Sequence, residues 1–190
     1  MKAGRVLLIT LGVIVAVVLF AGSSIYSGYN QAVTLDEGVK NRWAQVENQL
    51  QRRFELIPNV IATVKGVAAQ EEKIFLGVAE ARKAYFQAGT IGKKARAAGA
   101  LESALSRLLV LREAYPQLRS NESFLKLQDQ LEGTENRLAV ERKRYNDAVR
   151  ELNTFTRKLL GRMYAAMAAV ERAEYFEIVE AAQAAPKVKF

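Results

Sequence analysis

Three carboxylates recur every three residues in the C-terminal half of the sequence. Asp129, Glu132 and Glu135 would share one rough face of a helix, and carboxylate oxygens can hold Ca²⁺ or Mg²⁺. Lys126 and Arg137 lie beside them, and ion pairs on a solvated face are far commoner than metal sites. General acid–base chemistry also needs a second, converging group with a shifted pKa, and the spacing offers none. We therefore predict ion pairs here rather than a metal site.

The sequence of 190 residues contains neither cysteine nor histidine. This composition excludes disulfides and thiolate metal sites, and it removes most hydrolytic triads and zinc sites. The stretch "QAGTIGKK" contains a Gly-Lys pair, but a phosphate-binding loop needs glycine and serine or threonine where Gln87 and Lys94 stand. We predict no catalytic residue, no metal and no cofactor, and hence a protein that is not an enzyme.

Basic side chains are concentrated between residues 137 and 162, where eight lysines and arginines stand against three acids. The formal net charge of the chain is +8, so this stripe is either a solvated face or a site for anionic lipid or an anionic cell-wall polymer. Aromatic residues are few and no nucleic-acid module is recognisable, which argues against nucleic acid as a partner. The candidate stripe residues are Arg142, Lys143, Arg144, Arg150, Arg157 and Lys158.

A proline interrupts the longest apolar pattern of the sequence. Pro58 removes one helical hydrogen bond, to the carbonyl of Phe54, and its ring presses on that turn. Because the apolar positions keep their phase across it, we predict a kinked helix, with a break into two helices as the alternative. The bend either curves the helix around its neighbours or forms a notch for a protein partner. The candidate partner-binding residues are Arg52, Arg53, Pro58, Asn59 and Lys65.

These residues must be positioned by a body that is tethered to a membrane. Residues 6–25 carry no charge, and a helix of this length spans about 30 Å, the thickness of a bilayer's hydrocarbon core. Lys2 and Arg5 precede this run, and the next charges are acidic. The positive-inside rule then places the N-terminus in the cytoplasm and the body outside the bacterial inner membrane. A cleaved signal peptide, with small residues at 21–23, is the alternative.

Strong helix formers dominate the body, and the apolar spacing predicts an all-α protein. After a linker at 22–33, Thr34 and Glu37 form a capping box that starts a first helix, which runs to about residue 87. Further helices are expected over about 93–115, from Ser120 or Asn121 to Leu159, and from Gly161 onwards, with a frayed tail at 184–190.

Such helices, joined by short loops, pack as an antiparallel bundle of three to four long helices behind the transmembrane helix. Apolar positions of the third helix recur at the heptad spacing, with polar Thr134 and Glu141 in the seam. The first helix is about twice as long as the second, so a further helix or a second copy of the chain must cover part of it. The predicted domains are an anchor with its linker at 1–27, a bundle at 28–158 and a C-terminal helical segment with its tail at 159–190.

Ordered stretches over most of the body resemble the bacterial LemA family. They are Tyr29-Asn30, Trp43, "QLQRRFELIPN" (49–59), "VKG" (64–66), "LREAYPQLRSNESF" (111–124), "LQDQLEGTENRLAVERKRYNDAV" (127–149) and Asn153. The resemblance implies an antiparallel helical bundle behind an N-terminal membrane segment, and it supplies no catalytic residues. Family members often have a Phe-Pro stretch after the third helix and a short Tyr-Phe ending, of which this chain keeps Tyr175-Phe176.

The sequence therefore predicts a membrane-anchored, non-catalytic scaffold or interaction protein of the bacterial envelope, with an unidentified envelope protein as its partner. The alternative function is a binding module for anionic lipid or cell-wall polymer, acting through the basic stripe. A homo-oligomer is also compatible with the long first helix.

Overall fold

The computed structural model describes residues 2–177. Helices follow one another along this part of the chain, joined by turns and extended segments, which confirms the all-α class. They are α1 (Lys2–Lys65), α2 (Glu72–Gln87), α3 (Ile91–Ala114), α4 (Pro116–Arg119), α5 (Glu122–Arg157) and α6 (Leu159–Met167).

The chain divides into two compact units. The anchor unit comprises the segment up to Asn41 together with Ala148–Ala173. The bundle unit comprises Arg42–Asp147 together with the segment that starts at Glu174. The long helices α1 and α5 each contribute residues to both units.

In the bundle unit, α1 and α5 run antiparallel. Trp43 packs on Tyr145, with ring centroids 5.4 Å apart, and Arg53 forms an ion pair with Glu135. Ten residues forward along α1 therefore correspond to ten residues back along α5, as antiparallel packing requires.

Helices α2 and α3 complete this bundle. Phe54 of α1 packs on Tyr85 near the end of α2, whereas Lys65 lies over Phe75 near the start of α2, so α1 and α2 are antiparallel. Contacts between α3 and α5 show the same reversal, because Glu102 meets Arg142 and Arg112 meets Gln128. The predicted antiparallel bundle thus consists of the C-terminal part of α1, α2, α3 and α5.

The apolar stripes predicted from the spacing face the interior. On α3 four leucines at helical spacing are buried, and on α5 the heptad positions from Phe124 to Phe155 are buried or half-buried. Each fully buried leucine or phenylalanine contributes about 1.5–3 kcal/mol to stability. Leu159, the predicted end of this helix, is exposed because α5 ends at Arg157. The fully buried leucines of α3 and α5 are Leu101, Leu105, Leu108, Leu131, Leu138 and Leu152.

The predicted start of the first helix is wrong. Helix α1 runs without interruption from the apolar segment into the body, so residues 22–33 are helical rather than a linker. The hydroxyl of Thr34 donates a hydrogen bond to the carbonyl of Asn30, 2.8 Å away, instead of capping a new helix. Glycine and serine in this stretch lower helix propensity, but no proline prevents the backbone hydrogen bonds from continuing.

The predicted end of the first helix is also wrong. Helix α1 passes through Pro58 and ends at Lys65, so it neither breaks at the proline nor continues to Gln87. A turn over residues 66–71 follows, where Gly66 lowers the helix propensity by about 1 kcal/mol relative to alanine. This turn folds α2 back against α1, and the expected mismatch in helix length disappears. A homo-oligomer stays a prediction without that support.

The connection between α3 and α5 is more ordered than predicted. Pro116 does end α3, but it also occupies the first position of the one-turn helix α4, where its missing N–H costs no hydrogen bond. Of the two residues predicted to start α5, Ser120 and Asn121, it is Asn121 that caps the helix, since its Oδ1 accepts a hydrogen bond from the amide of Phe124 at 3.0 Å. Sequence analysis missed the cap of α3, in which Thr90 accepts from the amide of Lys93.

In the anchor unit, α6 packs against α1 through Tyr164. The ring joins a buried cluster with Ala32 and Phe155. It lies so close to Gly28 that any Cβ there would overlap it. The hydroxyl of Tyr164 is 2.9 Å from the hydroxyl of Ser24. The absence of a side chain at Gly28 therefore allows α6 to pack directly on the backbone of α1.

Helix α6 is shorter than the predicted fourth helix, because it ends at Met167. The amide of Val170 donates to the carbonyl of Ala165 and the amide of Ala169 donates to that of Ala166, which is the Schellman arrangement. Ala169 takes the left-handed position with φ 52°, where glycine is usual. No glycine or proline marks this end in the sequence. The predicted tail at 184–190 lies outside the described residues.

We expect Gly28→Ala to loosen α6, because the added Cβ displaces Tyr164, at a cost of about 1–3 kcal/mol. Gly38→Ala is the matched control: it lies on the same helix, its Cβ meets nothing within 4 Å, and it should leave stability unchanged or raise it by up to about 1 kcal/mol. Thermal unfolding in detergent, followed by circular dichroism, measures both. Equal melting temperatures for the two variants would contradict this packing.

Candidate functional site

A network of buried and half-buried charges joins three helices of the bundle unit. Arg53, on α1, is only 7% exposed and pairs with Glu135 on α5. Arg142, also on α5, lies 3.5 Å from carboxylate oxygens of both Glu135 and Glu102. Two arginines and two glutamates from three helices thus balance each other. An unpaired buried arginine would cost several kcal/mol, so these partners must be present together.

Burial shifts the pKa values of both arginines downward. Desolvation lowers the pKa of Arg53 to about 10, although the carboxylate of Glu102 opposes the shift. Burial also lowers the pKa of Arg142, again against the effect of Glu102. A pKa near 10 still leaves a guanidinium protonated at neutral pH. Arg53 therefore keeps its charge at pH 7, and the network acts as a set of ion pairs rather than as an acid–base catalyst.

Residues 174–177, the last that the structure describes, are held against the bundle unit by side chains of α5. Tyr145 donates its hydroxyl to the carbonyl of Glu174 at 2.6 Å. Asn146 donates to the carbonyl of Phe176 at 3.1 Å and accepts from the amide of the same residue at 2.9 Å. One asparagine thus satisfies both backbone groups of one residue, as a neighbouring strand would.

Phe176 is the residue of this segment whose side chain is buried in the bundle unit. Its side chain is 4% exposed, with its ring centroid 6.1 Å from that of Trp43. The guanidinium of Arg142 lies 5.1 Å from the Phe176 ring, a distance at which a cation is attracted to the ring face. Arg142 therefore links the buried charges to the held segment. The Phe of the Tyr175-Phe176 pair, noted in the sequence, is an interior residue.

Glu174 places its carboxylate at the start of α3. The amide of Gly92, in the first turn of that helix, donates to Oε2 of Glu174 at 3.0 Å. The first amides of a helix lack partners within the helix and carry partial positive charge, so a carboxylate is favourable there. Nearby, Lys94 pairs with Glu47 and lies 5.6 Å from the ring of Trp43.

The anchor unit contains a second asparagine clamp. Nδ2 of Asn153 donates to the carbonyl of Ala173, and Oδ1 accepts from its amide, each at 3.0 Å. Asn153 is buried, where an unsatisfied amide would cost about 1–3 kcal/mol. Ala173 is therefore held in place although residues 171–177, the described residues around it, form neither helix nor strand.

The predicted partner-binding residues separate into two groups. Arg53 is buried in the charge network and cannot present its guanidinium to a partner without breaking ion pairs. Arg52, Pro58, Asn59 and Lys65 are exposed. At 100° per residue they lie within an arc of about 140° on the side of α1 that faces away from the core. We call these four residues the outer surface of α1, and their binding of a partner stays a prediction.

An open groove adjoins this surface where α1 turns into α2. It has a volume of about 610 Å³ and is lined by side chains that include Ile61, Lys65 and Leu76. The ammonium of Lys65 lies 5.4 Å from the centroid of the Phe75 ring, another residue of the lining. Most of the lining is apolar, with Lys65 and Glu72 as its charged members.

The predicted basic stripe is not continuous. The side chain of Arg142 is largely buried in the charge network, and Arg144 pairs with Glu141 at 2.6 Å. Lys143, Arg150, Arg157 and Lys158 are exposed. Binding of anionic lipid or polymer along the whole stripe stays a prediction.

The three regularly spaced carboxylates have different environments. Glu135 is in the charge network, whereas Glu132 accepts a hydrogen bond from Gln128 at 2.8 Å. Asp129 is exposed. Within residues 2–177, no group of three metal-ligating side chains comes together. The observed ion-pair partners also differ from the expected ones, since Glu135 pairs with Arg53 and Arg142 rather than with Arg137.

Sequence analysis missed Glu102 and Asn146 as structural residues, and it used Asn153 only as a point of resemblance. Asparagine is disfavoured inside helices because its amide competes for backbone hydrogen bonds. Two asparagines seven residues apart on one helix, Asn146 and Asn153, therefore indicate a structural role that the sequence could have revealed. Glu102 gave none, because nothing in its spacing indicates that it lies opposite Arg142.

The fold and these sites define a class of protein: an all-helical bundle joined to an apolar helix, with a network of ion pairs between the helices of the bundle. Within the described chain, α1 is the helix long and apolar enough to cross a membrane, and its side chains from Leu8 to Phe20 are exposed. A family model described as the LemA family matches residues 42–190. This match covers most of the chain, which therefore belongs to the LemA family.

Similar proteins include three magnetosome proteins. MamQ 1 and MamQ 2 of Paramagnetospirillum magneticum are each 28% identical over 190 aligned positions, which cover 86% of this chain and 70% of the relative. MamQ of Magnetospirillum gryphiswaldense is 28% identical over 174 positions, which cover 78% of this chain and 64% of the relative. The family match and the apolar helix together support a membrane location.

Arg53→Met should destabilise the protein by about 3 kcal/mol, because Glu135 then loses its nearest cation in the interior. The neighbouring Arg52→Met removes the same charge from an exposed position and should change stability by less than about 0.5 kcal/mol. Chemical denaturation in detergent measures both values. A loss from Arg52→Met as large as that from Arg53→Met would show that the network does not stabilise the bundle.

Tyr145→Phe should destabilise the protein by about 1 kcal/mol at pH 8, since the hydrogen bond to Glu174 is lost. Burial, and then the carboxylate of Glu174, raise the pKa of Tyr145 to about 12, against about 10 in an unfolded chain. The stabilisation by Tyr145 is complete below pH 10 and falls between pH 10 and 12, because only the unfolded state releases its proton there. The melting-temperature difference between wild type and variant should therefore shrink over that range; a constant difference would contradict the assignment.

Proposed function

We propose that this protein is a non-catalytic scaffold, anchored in the membrane by α1, which holds an envelope protein on the outer surface of α1. One observation carries the proposal. Four charged groups from three helices of the bundle pair with one another, namely Arg53, Arg142, Glu102 and Glu135. These groups stabilise the fold, so a partner must be bound by residues on the surface.

The outer surface of α1 has the chemistry of a docking site for an acidic partner. Arg52 and Lys65 are exposed, while the intervening Arg53 is directed inward. The chain as a whole carries a formal charge of +8, which attracts anionic surfaces over about 8 Å at physiological ionic strength. The apolar groove beside Lys65 can receive a side chain of the same partner. The partner's contact surface should therefore combine carboxylates with an apolar residue.

The proposal places the protein in the inner membrane, with its N-terminus in the cytoplasm and the bundle outside. Lys2 and Arg5 precede the apolar run, and acidic residues are the first charges after it, which supports this orientation. The magnetosome relatives have names that state no reaction, in keeping with a structural role for this chain.

Charge reversal at the docking surface tests the proposal. The double variant Arg52→Glu and Lys65→Glu should reduce cross-linking to the partner in membranes by about tenfold, equivalent to about 1.4 kcal/mol. The control reverses the same number of exposed charges elsewhere, at Lys83 and Arg107. Partners are captured from native membranes with a chemical cross-linker and identified by mass spectrometry.

The comparison between the two double variants decides the outcome. Loss of one specific neighbour in the first variant alone supports the scaffold. Loss in both variants would show a general effect of charge, and an unchanged neighbour in the first would reject the outer surface of α1 as the docking site.

A further inference from the structure

Helix α6 has an apolar face that the rest of the anchor unit does not cover. Leu159 is 89% exposed, and Leu160, Met163 and Met167 are each exposed by about half. At 100° per residue these four side chains fall within an arc of about 100°. The next arc holds Gly161, Tyr164 and Ala165, which are buried. The exposed apolar arc therefore lies beside the side that packs on α1.

This face lies where the apolar run of α1 ends. Tyr164 places its hydroxyl 2.9 Å from that of Ser24, and Ser24 is one residue from the end of the uncharged run at 6–25. Gly28, one turn further along α1, lies beneath the Tyr164 ring. A helix that occupies this level is at the height where a membrane-spanning α1 leaves the hydrocarbon.

The residues around this level are those that favour a membrane surface. Arg157, Lys158 and Arg162 flank or belong to α6 and are exposed, and cations at this position attract anionic headgroups. Tyr26 and Tyr29 of α1 are also exposed. Tyrosine is enriched at the boundary between lipid and water because its ring is apolar and its hydroxyl is polar.

We propose that α6 is an interfacial helix in the bilayer that α1 crosses. Its apolar face, which consists of Leu159, Leu160, Met163 and Met167, inserts at the boundary between headgroups and acyl chains. Nine residues extend about 14 Å and cannot span the hydrocarbon core. An amphipathic helix with a basic flank lies in the plane of the interface, with its apolar side at the boundary of headgroup and acyl chain. Lipid is the occupant because the face continues the surface of the anchor itself.

The insertion gives α6 a role beyond packing on α1. A single membrane-spanning helix is free to tilt and rotate, whereas a second helix in the interface restricts both motions. Contact of α6 with the lipid surface would then fix the angle at which α1 emerges from the membrane.

The absence of cysteine from the sequence permits a direct test with single spin labels on the full chain in liposomes. Labels replace Met163 and, independently, Leu160. Val15 serves as the control within lipid and Glu171 as the control in water. Collision with oxygen, which concentrates in lipid, is compared with collision with a water-soluble nickel chelate. The liposomes are phosphatidylcholine alone and phosphatidylcholine mixed with phosphatidylglycerol.

Labels at both α6 positions should shift from the nickel-accessible range of Glu171 towards the oxygen-accessible range of Val15 in both kinds of liposome. Nickel access equal to that of Glu171 would overturn the proposal. Poor access for both reagents would overturn it in favour of cover by a second copy or another protein. A shift seen only in liposomes that contain phosphatidylglycerol would overturn insertion and show that the basic flank alone adsorbs to anionic lipid. As a control, the unlabelled Leu160→Cys and Met163→Cys variants should have the same melting temperature as the wild type, which shows that the fold is kept.

Discussion

The pairing of buried Arg53 with Glu135 is the constraint on which the bundle unit depends. Apolar layers alone would tolerate a slip of one heptad between α1 and α5, because apolar side chains would face apolar side chains in either register. A slip would leave an arginine and a glutamate unpaired in the interior, at a cost of several kcal/mol. We infer that the charge network selects the register, and the same register brings Trp43 against Tyr145.

The network also reaches the end of the described chain. Arg142 faces the two glutamates on one side and the ring of Phe176 on the other. Backbone after α6 is held by asparagine amides and a tyrosine hydroxyl, which can satisfy an extended segment without a strand beside it. Charges that a surface protein could use for binding are instead used to hold its helices and its C-terminal segment.

Much of the interior was predictable from spacing, because burial follows the helical period. The leucines of α3 and the heptad positions of α5 lie where the pattern placed them, and Asn121 caps α5 as its residue type indicates. The exact candidate sites were harder to predict. Arg53 and its exposed neighbour Arg52 look alike in the sequence, and only the rotation of α1 against α5 decides which of them is buried.

The ends of helices show the same division. The sequence by itself determined the helical class, the apolar anchor and the phase of each stripe, since these depend on residue type and local period. Tertiary structure decided that α1 continues past Thr34 and that the chain turns after Lys65. It also decided that α6 ends at Met167, with Ala169 in a left-handed conformation where glycine is usual. Local propensities differ there by only about 1 kcal/mol. The packing of Phe75 and Tyr85 on one side, and of Tyr164 on Gly28, outweighs so small a preference.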